Sequence, residues 1–548
     1  MPGGLLNLIS VGNQNIHLNG NPSKTFFKGS FAKYTNFGLQ KFRLDMDGQR
    51  DIRLTEPSVF TFKVPRYADL LMDTYISIDI PSIWSPIHYT DEGKWVPYEF
   101  KWIKNLGTMM IDEVRLMIGG QTIQKLSGHY IHNVVSRDYN VTKKELHDRM
   151  TGNTLDIYDP ANYTGRYGMY PNAYPSSSLD TVSEPSIRGR ELLIPLNAWF
   201  TMTSKMALPL VSLQYSEVKI EVTIRPVQDL FTILDVESES GVERQRIRPN
   251  FSNGLHSFYR FLHPPDNSLG IYSDTRTSWV PDIHLISTYG FLDEDEIRIF
   301  ANENQRYLIK EVHEVKFNNV VGTQRLDLKS LGMVTDWMWY IQRSDIKSRN
   351  EWSNYSNWKY SGVLPSGVMT SDATNSVELY EDDAATDPVF PLVDDNGNDI
   401  YITGPYSYEN LKKIMTRCAI IFDGKYRENE MNPSIFEWID KYSHTNGNGP
   451  ECLYSYSFCL NTDPYVSQPS GAINMTKFKK IEVEISTIEP PLDPNAATYS
   501  ICGPDGGVIG VNKSTWDIYQ YTYDVNFIEH RYNILDISCG MASLMYAR

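Results

Sequence analysis

The pair His129 and His132 in "HYIH" is a first place to look for chemistry, because imidazoles three positions apart can share a metal ion. A zinc site needs two more ligands or one ligand and water, and no cysteine or carboxylate stands at ligand spacing beside them. Structural histidines are expected here. The glycine-rich "GPDGGVIGVNKST" (503–515) invites a phosphate-loop reading, but two residues separate Gly510 from Lys513 where the motif needs adjacency. "DDNGND" (394–399) starts like a calcium loop with Asp394, Asn396 and Asn398. Position six is Asp399 instead of glycine, and position twelve is Pro405, which has no carboxylate to offer.

The run Asp293, Glu294, Asp295 and Glu296 offers paired carboxylates, but adjacent acids before an apolar-periodic stretch are what a helix N-terminus attracts. The aromatics of "EWSNYSNWKY" (Trp352, Tyr355, Trp358, Tyr360) can stack on sugar rings, pack their own loop or meet another protein. There is no GxSxG elbow and no HExxH helix. The residues therefore name no catalytic group, no cofactor and no metal site. Two other functions stay open at this level. One is a glycan-binding or spike β-sandwich. The other is a sandwich glycoside hydrolase, which needs two carboxylates roughly 5–10 Å apart in a cleft.

The elements that carry these residues read as strands. "VFTFKVP" (59–65), "TYISIDIP" (74–81), "IDEVRLMIGGQTI" (111–123), "WMWYIQR" (337–343), "CAIIFDG" (418–424), "YSYSFCL" (454–460) and "YTYDVNFIEH" (521–530) alternate with period two or run apolar. Gly, Pro and Asn clusters separate them, which predicts antiparallel sandwiches. Helices are expected to be few and short. "NPSIFEWIDKYS" has Asn432 as cap and Pro433 at the first helical position, and "LDEDEIRIFANEN" loads acids at its start.

At 548 residues the chain exceeds what one core organises, so two domains are the natural division. A net charge of −16 with no long basic run argues against direct binding of nucleic acid or an anionic membrane surface. Five cysteines, all in the second half and odd in number, form no disulfide framework and suit a reducing compartment. The start "MPGGLLNLISVGNQN" lacks a signal-peptide pattern, and no run of 18 apolar residues offers a transmembrane segment.

"KIEVTI" (219–224) and "KIEVEI" (480–485) are nearly the same strand written twice, 480 − 219 = 261 residues apart. "NFG" (36–38) and "IFA" (299–301) lie 263 apart, whereas the hairpin-like "IGGQ" (118–121) and "FDGK" (422–425) lie 304 apart. A domain built twice accounts for this drift if the second copy carries an insert of about 40 residues that the first copy later matches. The second-half insert falls at about 350–406, where Tyr360 through Leu411 holds ten acidic residues and no Lys or Arg. The first-half insert falls at about 140–190, around "YTGRYGMYPNAYPSSS". Both are expected as surface loops projecting outward, because so many uncompensated carboxylates are costly to bury.

The order of several longer motifs carries a family resemblance. "GGLLNLISVGNQNIHLNGNPSKTFFKGSFAKYTNFG" at the start resembles the opening of the major capsid proteins of large icosahedral double-stranded DNA viruses, the phycodnavirus, mimivirus and iridovirus group. "IPLNAWF" (194–200) and "LPLVSLQYSEVKI" (208–220) look like the close of that family's first jelly roll, and "LDEDEIRIFANENQRYLI" (292–309) like the opening of its second. "CLYSYSFCLNTDPYVSQPSGAINMTKF" (452–478) and "YDVNFIEHRYNILDISCGMASLMYA" resemble its tyrosine-rich strand and its C-terminus. Residues 227–280 and 350–406 match poorly.

The resemblance implies an all-β fold of two consecutive eight-stranded antiparallel jelly rolls, a double jelly-roll with long loop insertions and a few short helices. The expected division is an N-terminal arm (1–24), a first jelly roll (25–226), an inter-domain connection (227–280) and a second jelly roll (281–548). It also implies a structural protein of the virion, assembled in the host cytoplasm, whose homotrimers form pseudo-hexagonal capsomers. The implied partners are neighbouring capsomers and minor capsid and penton proteins, with an internal membrane possible beneath the shell. Within the arm, Leu5, Leu6, Leu8 and Ile9 are the residues expected to make contacts on the inner capsid face.

Overall fold

The structure is a computed structural model of the chain that describes residues 3–546 except 49, 174–183, 239–243, 267–270, most of 364–409, 494–498, 505–506 and 513–517. Its first half is built on eight principal strands: β1 (Phe37–Asp45), β2 (Ser58–Lys63), β3 (Leu70–Ile80), β4 (Ile111–Ile118), β5 (Gln121–Ser127), β6 (Arg190–Pro195), β7 (Val218–Ile224) and β8 (His284–Leu292). They form two antiparallel sheets, β1-β8-β3-β6 and β2-β7-β4-β5, with Leu208–Pro209 added to β3.

The second half repeats this order. β9 (Gln305–Val320), β10 (Thr323–Asp327), β11 (Met333–Arg343), β12 (Met415–Phe422), β13 (Lys425–Met431), β14 (Leu453–Ser457), β15 (Ile481–Thr487) and β16 (Tyr523–Ser538) form the sheets β9-β16-β11-β14 and β10-β15-β12-β13. Short strands at Ile473–Asn474 and Met541–Leu544 extend the former. Every strand of the first half thus has its counterpart eight strands later, in the same place in its sheet. This is a double jelly-roll.

Alternation explains why these sequences form half-buried strands. In β7, Val218, Ile220, Val222 and Ile224 are buried while Lys219, Glu221 and Thr223 are partly exposed, and in β15 Ile481, Val483 and Ile485 are buried. The core between the sheets is aromatic as well as aliphatic, with Phe60, Phe62, Trp337 and Trp339 all sealed from solvent. At about 25 cal/mol per Å² of apolar surface removed from water, such side chains are the main stabilising term.

The two matching hexapeptides lie in equivalent strands but not in equivalent register. The hairpin turns anchor the comparison: Gly119 N–H donates to Glu217 O, and Asp423 N–H to Lys480 O. Glu217 and Lys480 are therefore counterparts, 263 apart, and the textual match at 261 is slipped by two residues. A slip of two keeps every side chain on its own face of the sheet, so the pattern survives it. "IGGQ" and "FDGK" are true counterparts, the two-residue loops joining β4 to β5 and β12 to β13. "NFG" and "IFA" are not: Phe37 and Gly38 open β1, whereas "IFA" sits in a helix, Glu294–Asn302.

The hydrogen bonding also moves the expected division at 281. β8 pairs with β1 over nine residues, from Phe37 opposite Leu292 to Asp45 opposite His284, and with β3 on its other side. Residues 284–292 thus close the first sandwich, because the last strand of this topology must return between the first and the third. Residues 227–280 do more than connect. Phe231, Phe258 and Phe261 are fully buried, Phe231 stacks on Phe100 at 4.4 Å, and residues 231–232 pair with 101–102.

The segment 140–190 is only partly a surface loop: it contains a helix, Val141–Met150, and a buried Tyr170 whose hydroxyl donates to Phe100 O at 2.5 Å. Of 372–399, only the two short strands Ser376–Glu378 and Val389–Pro391, paired with each other, fall among the described residues. The acidic residues Asp394 and Asp399 lie outside them.

Asp423 and Gly424 have φ of 49° and 77°, and Gly119 and Gly120 have 60° and 82°, the left-handed pair that a tight hairpin requires. A Cβ at Gly424 meets nothing within 4 Å, so its substitution tests backbone conformation alone. Gly424→Val is expected to lower stability by about 1–2 kcal/mol in urea denaturation. Gly29→Ala, in an exposed segment without positive φ, is expected to be neutral in the same measurement.

Candidate functional site

The contact between the two sandwiches is where the chain concentrates its buried polar chemistry. Helix α1 (Gly128–Asp138) follows β5 and is capped by Ser127, whose hydroxyl accepts from Tyr130 N–H at 3.0 Å. Ten of its eleven residues are buried, because it lies between the sandwiches instead of on the surface.

At its end Arg137 is wholly buried and donates to Asp138 through Nε and Nη2, and to Asp336 of β11 through Nη1 at 2.6 Å. Asp336 also meets His530 Nδ1 of β16 at 2.8 Å, and His530 Nε2 lies 3.1 Å from the Tyr130 hydroxyl. Thr462 donates to Asp138 at 2.7 Å. The cluster is closed by groups from both sandwiches. Burial alone penalises Asp336, but His530 and the Arg137 guanidinium outweigh it and hold the carboxyl well below the usual range. Burial likewise disfavours charge on Arg137, yet Asp138 and Asp336 hold it above its ordinary value.

The aromatic loop after β11 supplies the rest of the contact. Trp352 Nε1 donates to Asp229 O at 2.9 Å and its ring lies 4.2 Å from the Arg225 guanidinium. Tyr355 donates to Asn133 of α1 and stacks on Tyr340 at 4.2 Å. Tyr360 donates to Arg246 O, and Asn350 Nδ2 bonds the carbonyls of Gln228 and Phe231. Of the alternatives open in the sequence, these rings pack the loop; three of the four bond the first sandwich, while Trp358 Nε1 donates to Asn410 O.

The other candidate residues take structural places. His129 stacks on Tyr340 at 5.5 Å, and burial keeps its pKa well below the ordinary value. His132 is buried nearby, and no cluster of three metal-ligating side chains exists among the described residues. Asp293 stands at the N-cap position of the helix Glu294–Asn302 without a side-chain capping bond, and the first turn holds Glu294, Asp295 and Glu296. Asn432 accepts from Ser434 N–H at 3.0 Å before a π-turn at Ile435–Ile439.

Leu5, Leu6, Leu8 and Ile9 lie in a short helix, Gly4–Ile9, with no buried residue, and are 43%, 58%, 73% and 63% exposed. The exposed stretch runs past residue 24: Phe26, Phe27, Phe31 and Tyr34 project from it as well. Arg137, Asp336 and His530 escaped the sequence reading. A charged residue inside an otherwise apolar strand, as in "VTDWMWY", was the available signal for Asp336.

Two family models match in succession. One, described as the major capsid protein N-terminus, covers residues 25–293, and the other, the large eukaryotic DNA virus major capsid protein, covers 296–543. The chain is 23% identical to a major capsid protein of Phaeocystis pouchetii virus and 24% identical to that of Paramecium bursaria Chlorella virus 1, each across 100% of both chains. Among solved structures it matches VP54 of PBCV-1, fitted into a reconstruction of the virophage Sputnik, with a TM-score of 0.59 at 19% identity. That match covers 96% of this chain and 100% of the other. It also matches the Faustovirus major capsid protein, TM-score 0.60 at 10% identity, over 98% and 96%.

Removing the Arg137 side chain takes the guanidinium from between two buried carboxylates and leaves Asp336 with His530 and Asp138 with the Thr462 hydroxyl. Arg137→Met is expected to destabilise the fold by about 3–5 kcal/mol in equilibrium denaturation, and Arg137→Met with Asp336→Asn by less. Because the folded-state pKa of Asp336 is depressed, its contribution is fully present above about pH 3.9. It is lost progressively as pH falls toward the folded-state value. A thermal-unfolding series from pH 6 to pH 2 should show this acid loss blunted in Asp336→Asn.

Proposed function

Because this chain belongs to the major capsid proteins of large eukaryotic DNA viruses and is a structural component of the capsid, we propose that it acts as a homotrimer forming one pseudo-hexagonal capsomer. The observation that carries this reading is the strand-for-strand equivalence of its two sandwiches. Three chains, each with two similar sandwiches side by side, present six similar corners, and six corners tile a hexagonal lattice. A single sandwich per chain would give a triangle that leaves gaps.

The work is geometric and requires no catalytic group. Burial of apolar surface between chains stabilises the trimer, and smaller contacts at its edges join capsomers weakly enough for misplaced ones to leave. The exposed arm through residue 36 is the natural inner-face contact, with Leu5, Leu6, Leu8 and Ile9 meeting minor capsid proteins or neighbouring subunits. An apolar stretch this exposed needs cover. Penton proteins are further partners, and nucleic acid is not directly bound, in keeping with a net charge of −16. Assembly takes place in the host cytoplasm, where five unpaired thiols are stable.

Native mass measurement and electron microscopy of the purified protein are expected to show trimers with a hexagonal outline; stable monomers at micromolar concentration would overturn the reading. Deleting residues 2–20 should leave trimers intact while sharply reducing their incorporation into particles. Unchanged incorporation would remove the arm from the assembly role.

A further inference from the structure

Between the sandwiches, beside but separate from the Arg137 cluster, lies a polar cavity of about 220 Å³. That is room for several water-sized occupants or one tetrahedral oxyanion with its hydration. Three lysines from three separate segments meet at it: Lys104 from the loop after β3, Lys144 from the helix after α1, and Lys412 from the segment before β12.

Lys144 is held by Asp148 at 2.5 Å and Lys412 by Glu451 at 2.6 Å. Lys104 has no acid within ion-pair distance among the described residues, and its Nζ lies 6.0 Å from the centre of the Tyr158 ring. Glu351, the acid that senses it, is pushed up by burial and so weakened as a countercharge. With Asp148 and Glu451 offsetting two of the lysines, and Glu451 itself on the cavity wall, Lys104 is the cation left without a close countercharge, and an anion at the cavity would supply one.

The floor offers hydrogen-bond capacity that nothing in the chain uses. His132 and Ser136 sit one turn apart on the same face of α1 and both line the cavity, with 9% and 3% of their surfaces exposed. Neither side chain has a hydrogen-bond partner among the described residues. Burial first, then the neighbouring Lys144, pushes the His132 pKa down to about 3, so at neutral pH its ring is uncharged and carries one N–H. Both side chains open to the cavity and not to a partner in the chain, so among the described residues their hydrogen-bonding groups are free to meet an occupant beside the lysines.

We propose that this cavity binds a small tetrahedral oxyanion, phosphate or sulfate, and that the bound anion clips the two sandwiches together. Lys104, Lys144, His132 and Ser136 come from the first sandwich, and Lys412 from the second. The ligand therefore bridges elements that separate when the sandwiches part, and it stabilises the folded chain by binding it in preference to the unfolded one.

Inorganic phosphate and sulfate, titrated separately into the full-length protein by calorimetry at constant ionic strength, test this. Saturable binding of one anion per chain, with a matching rise in Tm, is expected for at least one of them. Lys104 is exposed at the rim, so Lys104→Met should fold with an unchanged anion-free Tm while weakening binding about tenfold or more. Lys104→Arg should retain binding. The proposal is overturned if millimolar phosphate and sulfate both fail to bind, if chloride reproduces the Tm shift, or if Lys104→Met binds as tightly as the parent.

Discussion

One buried cation sets the relation between the two halves of this protein. Arg137 cannot lose its proton, and with no surface exposed it cannot reach water. Its charge is tolerable only while Asp138 on its own helix and Asp336 in the other sandwich are both within reach. A displacement that broke either contact would strand a charge in a medium of low dielectric. His530 and Thr462 then take further positions around the carboxylates, and the Tyr130 hydroxyl meets the other ring nitrogen of His530. Such a cluster adds little net stability over apolar packing, but it is intolerant of misalignment. For a capsid subunit built of two sandwiches, the cluster fixes the orientation of one against the other.

The differences between the two halves are what build this contact. Residues 81–110 join β3 to β4, whereas 344–414 join β11 to β12, a connection of 71 residues against 30. Residues 128–189 join β5 to β6, whereas 432–452 join β13 to β14, 62 residues against 21. Each half therefore carries about forty extra residues at a different place. The first extension begins with α1, which holds Arg137, Tyr130 and Asn133. The second begins with the loop of Trp352, Tyr355 and Tyr360. A duplicated pair of sandwiches has no inherent reason to adhere, and the unequal extensions supply the asymmetric surfaces that interlock.

Much of the sandwich architecture was legible because alternation is a local property. Val218, Ile220 and Val222 announce an inward face without knowledge of what they pack against. "IGGQ" and "FDGK" announce hairpins because two consecutive positive φ values admit few residue types. The same locality misled in places. The hexapeptide match ran two residues out of register because alternation repeats every two residues. "IFA" echoed "NFG" in letters while lying in a helix, and the closing strand β8 was assigned to the wrong half, since partners about 240 residues away are not written beside it.

What the sequence determined by itself was the kind of object: a strand-rich, acidic chain, written nearly twice, whose ordered motifs resemble a capsid family. What only the tertiary structure decided was how the two copies are joined. Arg137 and Asp336 are 199 positions apart, and Tyr130 and His530 are 400 apart. Such a pairing leaves no trace in local pattern, because burial and charge compensation depend on which surfaces meet, and that is settled only when both sandwiches have folded and docked.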